Sequence, residues 1–111
     1  MTKFILVGIL VTQLNLITRS SYYSDKLNGR KTASGQVFDN SKLTAAHRTL
    51  KFGTKVRVTN IKNCKSVIVV INDRGPHIKS VGIDISKEAF SRIADLREGV
   101  ISVRLCIQSE K

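Results

Sequence analysis

The stretch Ser66-Val67-Ile68-Val69-Val70-Ile71-Asn72-Asp73-Arg74-Gly75-Pro76 decides how this chain reads. Its first six residues form an apolar, largely β-branched run that predicts a buried strand. Gly75-Pro76 then forces a turn, because proline fixes φ and has no N–H to continue a ladder. Asp73 therefore stands at the mouth of that strand, held by a rigid turn, with Arg74 beside it. A carboxyl so placed is a candidate acid/base group. Together with Thr44 to Leu50, it points to an enzyme.

Outward from this stretch, apolar and polar residues alternate from Thr54 to Thr59, a half-buried strand with Lys55 and Arg57 on its solvated face. Phe52-Gly53 turns into it, and Asn60 to Cys64 closes a hairpin onto Ser66–Ile71. Ser21 to Ser24 reads as a short first strand. The segment after it is long and irregular, with turns at Asn28 to Lys31 and at Ser34-Gly35. Ile83 and Ile85 mark a brief strand. Ser86 is a helix N-cap, since its hydroxyl can accept from the free N–H groups of the first turn, and Glu88 suits that end of the dipole. Phe90, Ile93 and Ala94 give the helix one apolar face. Gly99 stops the segment, and Val100 to Ile107 is a closing strand. Many short strands with one small helix predict a mainly β barrel.

A chain of 111 residues has room for one small domain. With aromatic residues at 5% and no tryptophan, its core must come mostly from Val, Ile, Leu and Ala. Residues 1–20 are read as lying outside the fold. Lys3 gives a basic start, Phe4 to Val11 is apolar apart from Gly8, and Thr12, Gln13 and Asn15 interrupt the run. Such a stretch is too short and too broken to span a bilayer but suits a secretory signal, with cleavage expected before Ser21. An uncleaved anchor is the alternative, and residues 21–111 form the domain on either reading. No cysteine follows the apolar run, so lipid modification is not expected. Export is expected, with no membrane span after processing.

The net charge is +11, and losing Lys3 and Arg19 with the leader lowers it to +9. That excess favours polyanions: nucleic acid, anionic lipid or acidic wall polymer. The basic residues alternate with apolar ones rather than forming a block. No zinc-finger, helix-turn-helix or RNA-platform signature is present, so a nucleic-acid partner is not expected. Cys64 and Cys106 suit one disulfide in an oxidising compartment, and spacing leaves their pairing open. With only His47 and His77 beside them, no metal or other cofactor is expected.

Several motifs occur in order: Ser21-Tyr22-Tyr23-Ser24, Gly29-Arg30-Lys31-Thr32-Ala33-Ser34-Gly35, Leu43 to Leu50, Phe52-Gly53-Thr54, Val58-Thr59-Asn60, Asn72 to Pro76, and Ile83-Asp84-Ile85-Ser86. Through them the chain resembles the rare lipoprotein A (RlpA) family of bacterial septal proteins, over nearly all of Ser21 to Ile107. The resemblance implies a six-stranded double-psi β-barrel with one or two short helices, the fold also of expansins. It implies a lytic transglycosylase that cleaves the MurNAc–GlcNAc β-1,4 bond of peptidoglycan, preferably in glycan strands lacking stem peptides, and leaves 1,6-anhydro-MurNAc ends. The chain departs from the family pattern where Gln36 replaces a common Glu, where Lys51 replaces proline, and at Val81-Gly82, where an arginine is common. The glycan-binding SPOR domain of many members is not expected, which puts septal targeting in doubt.

Lytic cleavage needs a proton delivered to the leaving oxygen and a base for the sugar's 6-hydroxyl as it attacks C1. One carboxyl can do both in turn, so paired carboxylates are not required. Asp73 is the candidate, with desolvation expected to raise its pKa and Arg74 to oppose that if turned toward it. His47 is the candidate helper. Tyr23 is expected to stack on a sugar face, and Gln36, Thr44 and Arg74 to bind substrate, while Asp84 reads as structural. The protein is expected to act as a monomer on glycan strands. The alternative is a non-catalytic, expansin-like wall-binding module, which Gln36 favours.

Overall fold

Six strands close a barrel in the computed structural model, which describes residues 15–109. They are β1 (Asn15–Tyr22), β2 (Thr44–Ala46), β3 (Lys55–Asn60), β4 (Ser66–Asp73), β5 (Ile83–Ile85) and β6 (Ile101–Ile107). Their order around the barrel is β1-β5-β2-β4-β3-β6, with β6 closing on β1. The pairs β1/β5 and β2/β4 run parallel; the other pairs are antiparallel. One helix, α1 (Lys87–Ile93), and two 3-10 turns, at Asp25–Leu27 and Leu96–Glu98, complete the described chain.

Alternation builds the core. Val56 and Val58 of β3, Val69 and Ile71 of β4 and Val103 and Leu105 of β6 are fully buried, while Lys55, Arg57, Ser102 and Arg104 face solvent. Each such side chain contributes about 1.5–3 kcal/mol of transfer free energy. Phe90 and Ile93 of α1 join this core. The Ser86 hydroxyl accepts from the Ala89 N–H at 3.1 Å, as an N-cap should, and the Asn60 amide donates to the Ile93 carbonyl at 2.7 Å. Each end of the helix thereby gains a partner for one of its free backbone groups.

Two expectations need correction, and one strand goes unread in the sequence. The run Ser66–Ile71 is half-buried rather than buried, since Ile68 points outward and is 38% exposed. β2 had no signal of its own; three residues are too few to display a period. The fold also begins earlier than Ser21. Residues Asn15 to Ser20 pair in register with β6, from Asn15 opposite Cys106 to Ser20 opposite Ile101, so they belong to the barrel. Ser20 is completely buried although polar, while Leu16 and Ile17 are exposed, which is why hydropathy misplaced the boundary. The remainder of the expected leader, residues 1–14, lies outside the described residues. The two cysteines are free. Cys64 bonds back to Asn60 in the β3–β4 turn, and Cys106 pairs with Arg57, three residues further along β3, roughly 10 Å away.

Gly82 seats β5 on β1. A Cβ at this position would collide with the Thr18 side chain as far back as its own Cβ, and the Gly82 N–H donates to the Arg19 carbonyl at 2.9 Å. This close approach sets the parallel register that brings Ser21 opposite Asp84. Gly82→Ala should destabilise the barrel by about 1–3 kcal/mol, seen as a lower urea midpoint at an unchanged slope; a wild-type midpoint would contradict the packing.

Candidate active site

One row of residues crosses four strands of the barrel. Ser21 of β1 is the register partner of Asp84 on β5, Asp84 of Ala46 on β2, and Ala46 of Asp73 on β4. Register partners point to the same side of a sheet, here the outer one: Asp84 lies between the core residues Ile83 and Ile85, and the bulge at Asn72 turns Asp73 off the core face that Ile71 takes. Strands lie roughly 4.8 Å apart, so the two aspartate Cα atoms are separated by about 10 Å, with only the small Ala46 between them. The row borders an open groove of about 500 Å³ that Tyr23, Leu27, Pro76, His77 and Ile78 also line.

Asp73 is the last residue of β4, and the chain turns at once through a cis Gly75–Pro76 peptide. Its carboxylate is held from three sides. The Tyr23 hydroxyl donates to Oδ2 at 2.6 Å, and the Ala33 and Arg74 N–H groups donate to Oδ1 at 2.8 and 2.9 Å. Ala33 reaches it because Thr32 to Gln36 fold into a tight turn. The Thr32 N–H donates to the Gln36 carbonyl at 2.8 Å, the Gly35 N–H to the Thr32 carbonyl at 2.9 Å, and Gly35 takes φ +91°. That left-handed backbone explains the glycine. Burial, then the bond to Asp73, raises the pKa of Tyr23, so it stays a donor.

Arg74 is turned away from this carboxylate. Its guanidinium donates to the Leu50 carbonyl at 2.8 Å and the His47 carbonyl at 3.2 Å, and lies 4.0 Å over the Phe52 ring. It pins the loop after β2 rather than competing for Asp73. His47 serves the same loop: its Nδ1 accepts from the Thr49 and Leu50 N–H groups at 3.2 and 3.1 Å. That assigns the ring proton to Nε2. Burial first, and the positive charges of Arg48 and Arg74 after it, lower the pKa of His47 and favour the neutral ring. It touches Asp73 through the main chain, its N–H donating to the Asp73 carbonyl at 3.2 Å.

The other expected residues separate. The Tyr23 ring is 6% exposed and stacks on Phe38 with centroids 4.3 Å apart, so its faces are covered and sugar stacking is not open to it. Gln36 and Thr44 line a different pocket, of about 320 Å³, with Asp39, Lys42 and Asn72. There the Asn72 amide donates to Gln36 Oε1 at 3.0 Å, while Asn72 Oδ1 and Thr44 Oγ1 are buried with no partner among the described residues. Each such atom costs about 1–3 kcal/mol unless something bonds to it. No three His, Cys, Asp or Glu side chains among the described residues converge as metal ligands.

Asp84 is the residue the sequence reading undervalued. It lies in the groove between the fully buried Ile83 and Ile85 and accepts from the Ser21 hydroxyl at 3.1 Å. Burial pushes its pKa up to about 6; the Ser21 bond opposes this, and the negative charge of Asp73 adds to it. Nothing in Ile83-Asp84-Ile85 alone distinguishes a cap from a groove carboxyl. Only the pairing of β5 beside β2 does.

Comparison with known proteins places this site in context. A family model described as lytic transglycolase matches residues 17–105. A probable endolytic peptidoglycan transglycosylase RlpA of Treponema pallidum is 52% identical over 86 residues, which cover 78% of this chain and 27% of that protein. The endolytic peptidoglycan transglycosylase RlpA of Pasteurella multocida is 49% identical over 86 residues, covering 78% of this chain and 29% of its own. The chain thus matches less than a third of the length of these relatives. Among solved structures, an apo expansin of Clavibacter michiganensis superimposes with a TM-score of 0.71 at 19% identity, over 88% of this chain and 52% of that one, a likeness of fold alone.

The raised pKa of Asp84 has a signed consequence for stability. A carboxyl that binds its proton more tightly when folded stabilises the fold at low pH. It costs stability as pH rises from the unfolded value of 3.8 through about 6. Asp84→Asn should therefore raise the melting temperature at pH 7.5, and the gain should vanish below about pH 4. Equal melting at both pH values would mean that Asp84 is not desolvated.

Proposed function

The chain belongs to the RlpA family of double-psi β-barrels, and from that membership we propose that it is a lytic transglycosylase of bacterial peptidoglycan. It cleaves the MurNAc–GlcNAc β-1,4 bond, preferably in strands lacking stem peptides, and leaves 1,6-anhydro-MurNAc ends during wall remodelling and cell separation. The observation that carries this reading is the groove in which Asp73, gripped by three donors, opens onto a furrow of saccharide size. The names of the relatives support the substrate.

In this reading Asp73 is a catalytic carboxyl. Each of its oxygens already accepts, so its orientation is fixed before substrate arrives, which lowers the cost of organising the transition state. His47 and Arg74 are positioning residues that hold the loop following β2 against Asp73. Gln36 and Thr44 bind a further part of the glycan; the unpartnered Thr44 Oγ1 and Asn72 Oδ1 support that role. The excess positive charge, carried on outward strand faces such as Lys55 and Arg57, attracts the anionic wall. The protein acts as a monomer in the periplasm or envelope. We place its export signal before Asn15, because a cut before Ser21 would remove most of β1 and leave β6 paired with β3 alone.

A second reading, a wall-binding module without cleavage, is favoured by Gln36, which cannot exchange a proton where the resemblance implies a common Glu. Mass spectrometry of digested sacculi separates the two. The lytic reading expects anhydro-saccharides from the wild type and, for Asp73→Asn, a loss on the order of 10²–10⁴-fold with the fold retained. Sedimentation with sacculi without new anhydro ends would establish the binding module instead.

A further inference from the structure

Asp84 has no part in the reading above, yet it faces the same groove as Asp73 across a single alanine. We propose that Asp84 is the proton donor to the departing glycosidic oxygen and that Asp73, opposite it, receives the proton of the attacking 6-hydroxyl. This deepens the lytic reading and rests on it.

The step balances without water. The Asp84 carboxyl gives its proton to the GlcNAc O4 as the bond from MurNAc C1 to that oxygen breaks. The MurNAc O6 forms its bond to the same C1, and its proton passes to Asp73. A proton transfer from Asp73 to Asp84 then restores both groups for the next cycle.

Geometry supports the division. The two residues are both register partners of Ala46, about 10 Å apart at Cα, and both line the one groove. Paired carboxyls of glycosidases stand roughly 5–10 Å apart, to flank a sugar linkage. Their surroundings differ in kind. Asp73 accepts from one hydroxyl and two backbone N–H groups, whereas Asp84 accepts from the Ser21 hydroxyl. A carboxyl that burial raises to about 6 keeps a protonated fraction near neutrality, which suits an acid.

The charged and titratable groups around Asp84 can be named by element. Tyr22 comes from the end of β1 and Tyr23 from the residue after it, Asp73 from β4, and Arg74 and His77 from the turn beyond it. Arg48, after β2, is committed to the Ile78 and Val81 carbonyls at 2.7 and 2.8 Å. Tyr22 is likewise committed, donating to the Leu96 carbonyl at 2.9 Å. Burial first, and then the charge of Asp73, the one acid among these groups, favour the protonated form of Asp84.

The test uses leaving groups. Wild type, Asp84→Asn and Asp73→Asn are assayed on sacculi and on a peptide-free GlcNAc–MurNAc oligosaccharide with a 4-nitrophenyl aglycone, which departs without protonation. Asp84→Asn should fall on the order of 10²–10⁴-fold on sacculi but stay within about tenfold of wild type on the nitrophenyl substrate. Asp73→Asn should fall on both. Equal loss of Asp84→Asn on both substrates, or full activity on sacculi, would overturn the assignment. A wild type inactive on both would instead sink the lytic reading, and this assignment with it. Ser21→Ala gives an independent readout: losing a bond that favours the charged form should move the alkaline limb of kcat/KM to higher pH. An unmoved limb would count against Asp84.

Discussion

The short strand β2 constrains everything at the site. It runs parallel to β4 on one side and antiparallel to β5 on the other, so Ala46 has an aspartate for a partner on each flank. This pairing puts residue 73 and residue 84 on one groove. The register shift between Ala45 and Ala46 matters here, because it pairs Ala46 with Asp73 instead of Asn72. A side chain larger than alanine would fill the space between the carboxyls. The barrel core below this row, with Ala45, Ile71, Ile83 and Ile85 fully buried, makes the spacing rigid.

Two carboxyls with like charge in one groove would repel if both were ionised. The fold relieves this by treating them differently. Three donors surround Asp73, so its charge is compensated where it sits. Asp84, flanked by isoleucines, is left to hold its proton longer. The basic surface contributes little to this balance, because Arg74 and Arg48, the nearest cations, are spent on backbone carbonyls. Those two arginines organise loops; the local chemistry belongs to the aspartates, Tyr23 and Ser21.

Much of this was legible in the chain. The alternation of Lys55 to Asn60, the apolar run ending at Asp73, the Gly-Pro turn and the Ser86 cap each appear where local physics puts them. The motifs in register identified the family, and the comparisons bear that out. What escaped is non-local. Whether Arg74 faces Asp73 depends on Leu50 and Phe52, which lie in another loop. Whether Tyr23 is a sugar platform depends on Phe38, which closes over it. Asp84 reads as structural in the sequence because a three-residue strand carries no record of its neighbours. The polar Ser20 in a buried seat hid the true start of β1.

The account turns on a groove aspartate that holds its proton beside Asp73, and carboxyl ¹³C chemical shifts of Asp84 followed across a pH titration read that property directly. Asp84 should titrate at about 6, and its midpoint should drop when Asp73 is replaced by Asn, because a repelling charge has gone. An Asp84 that titrates in the ordinary aspartate range, indifferent to that replacement, would contradict the account.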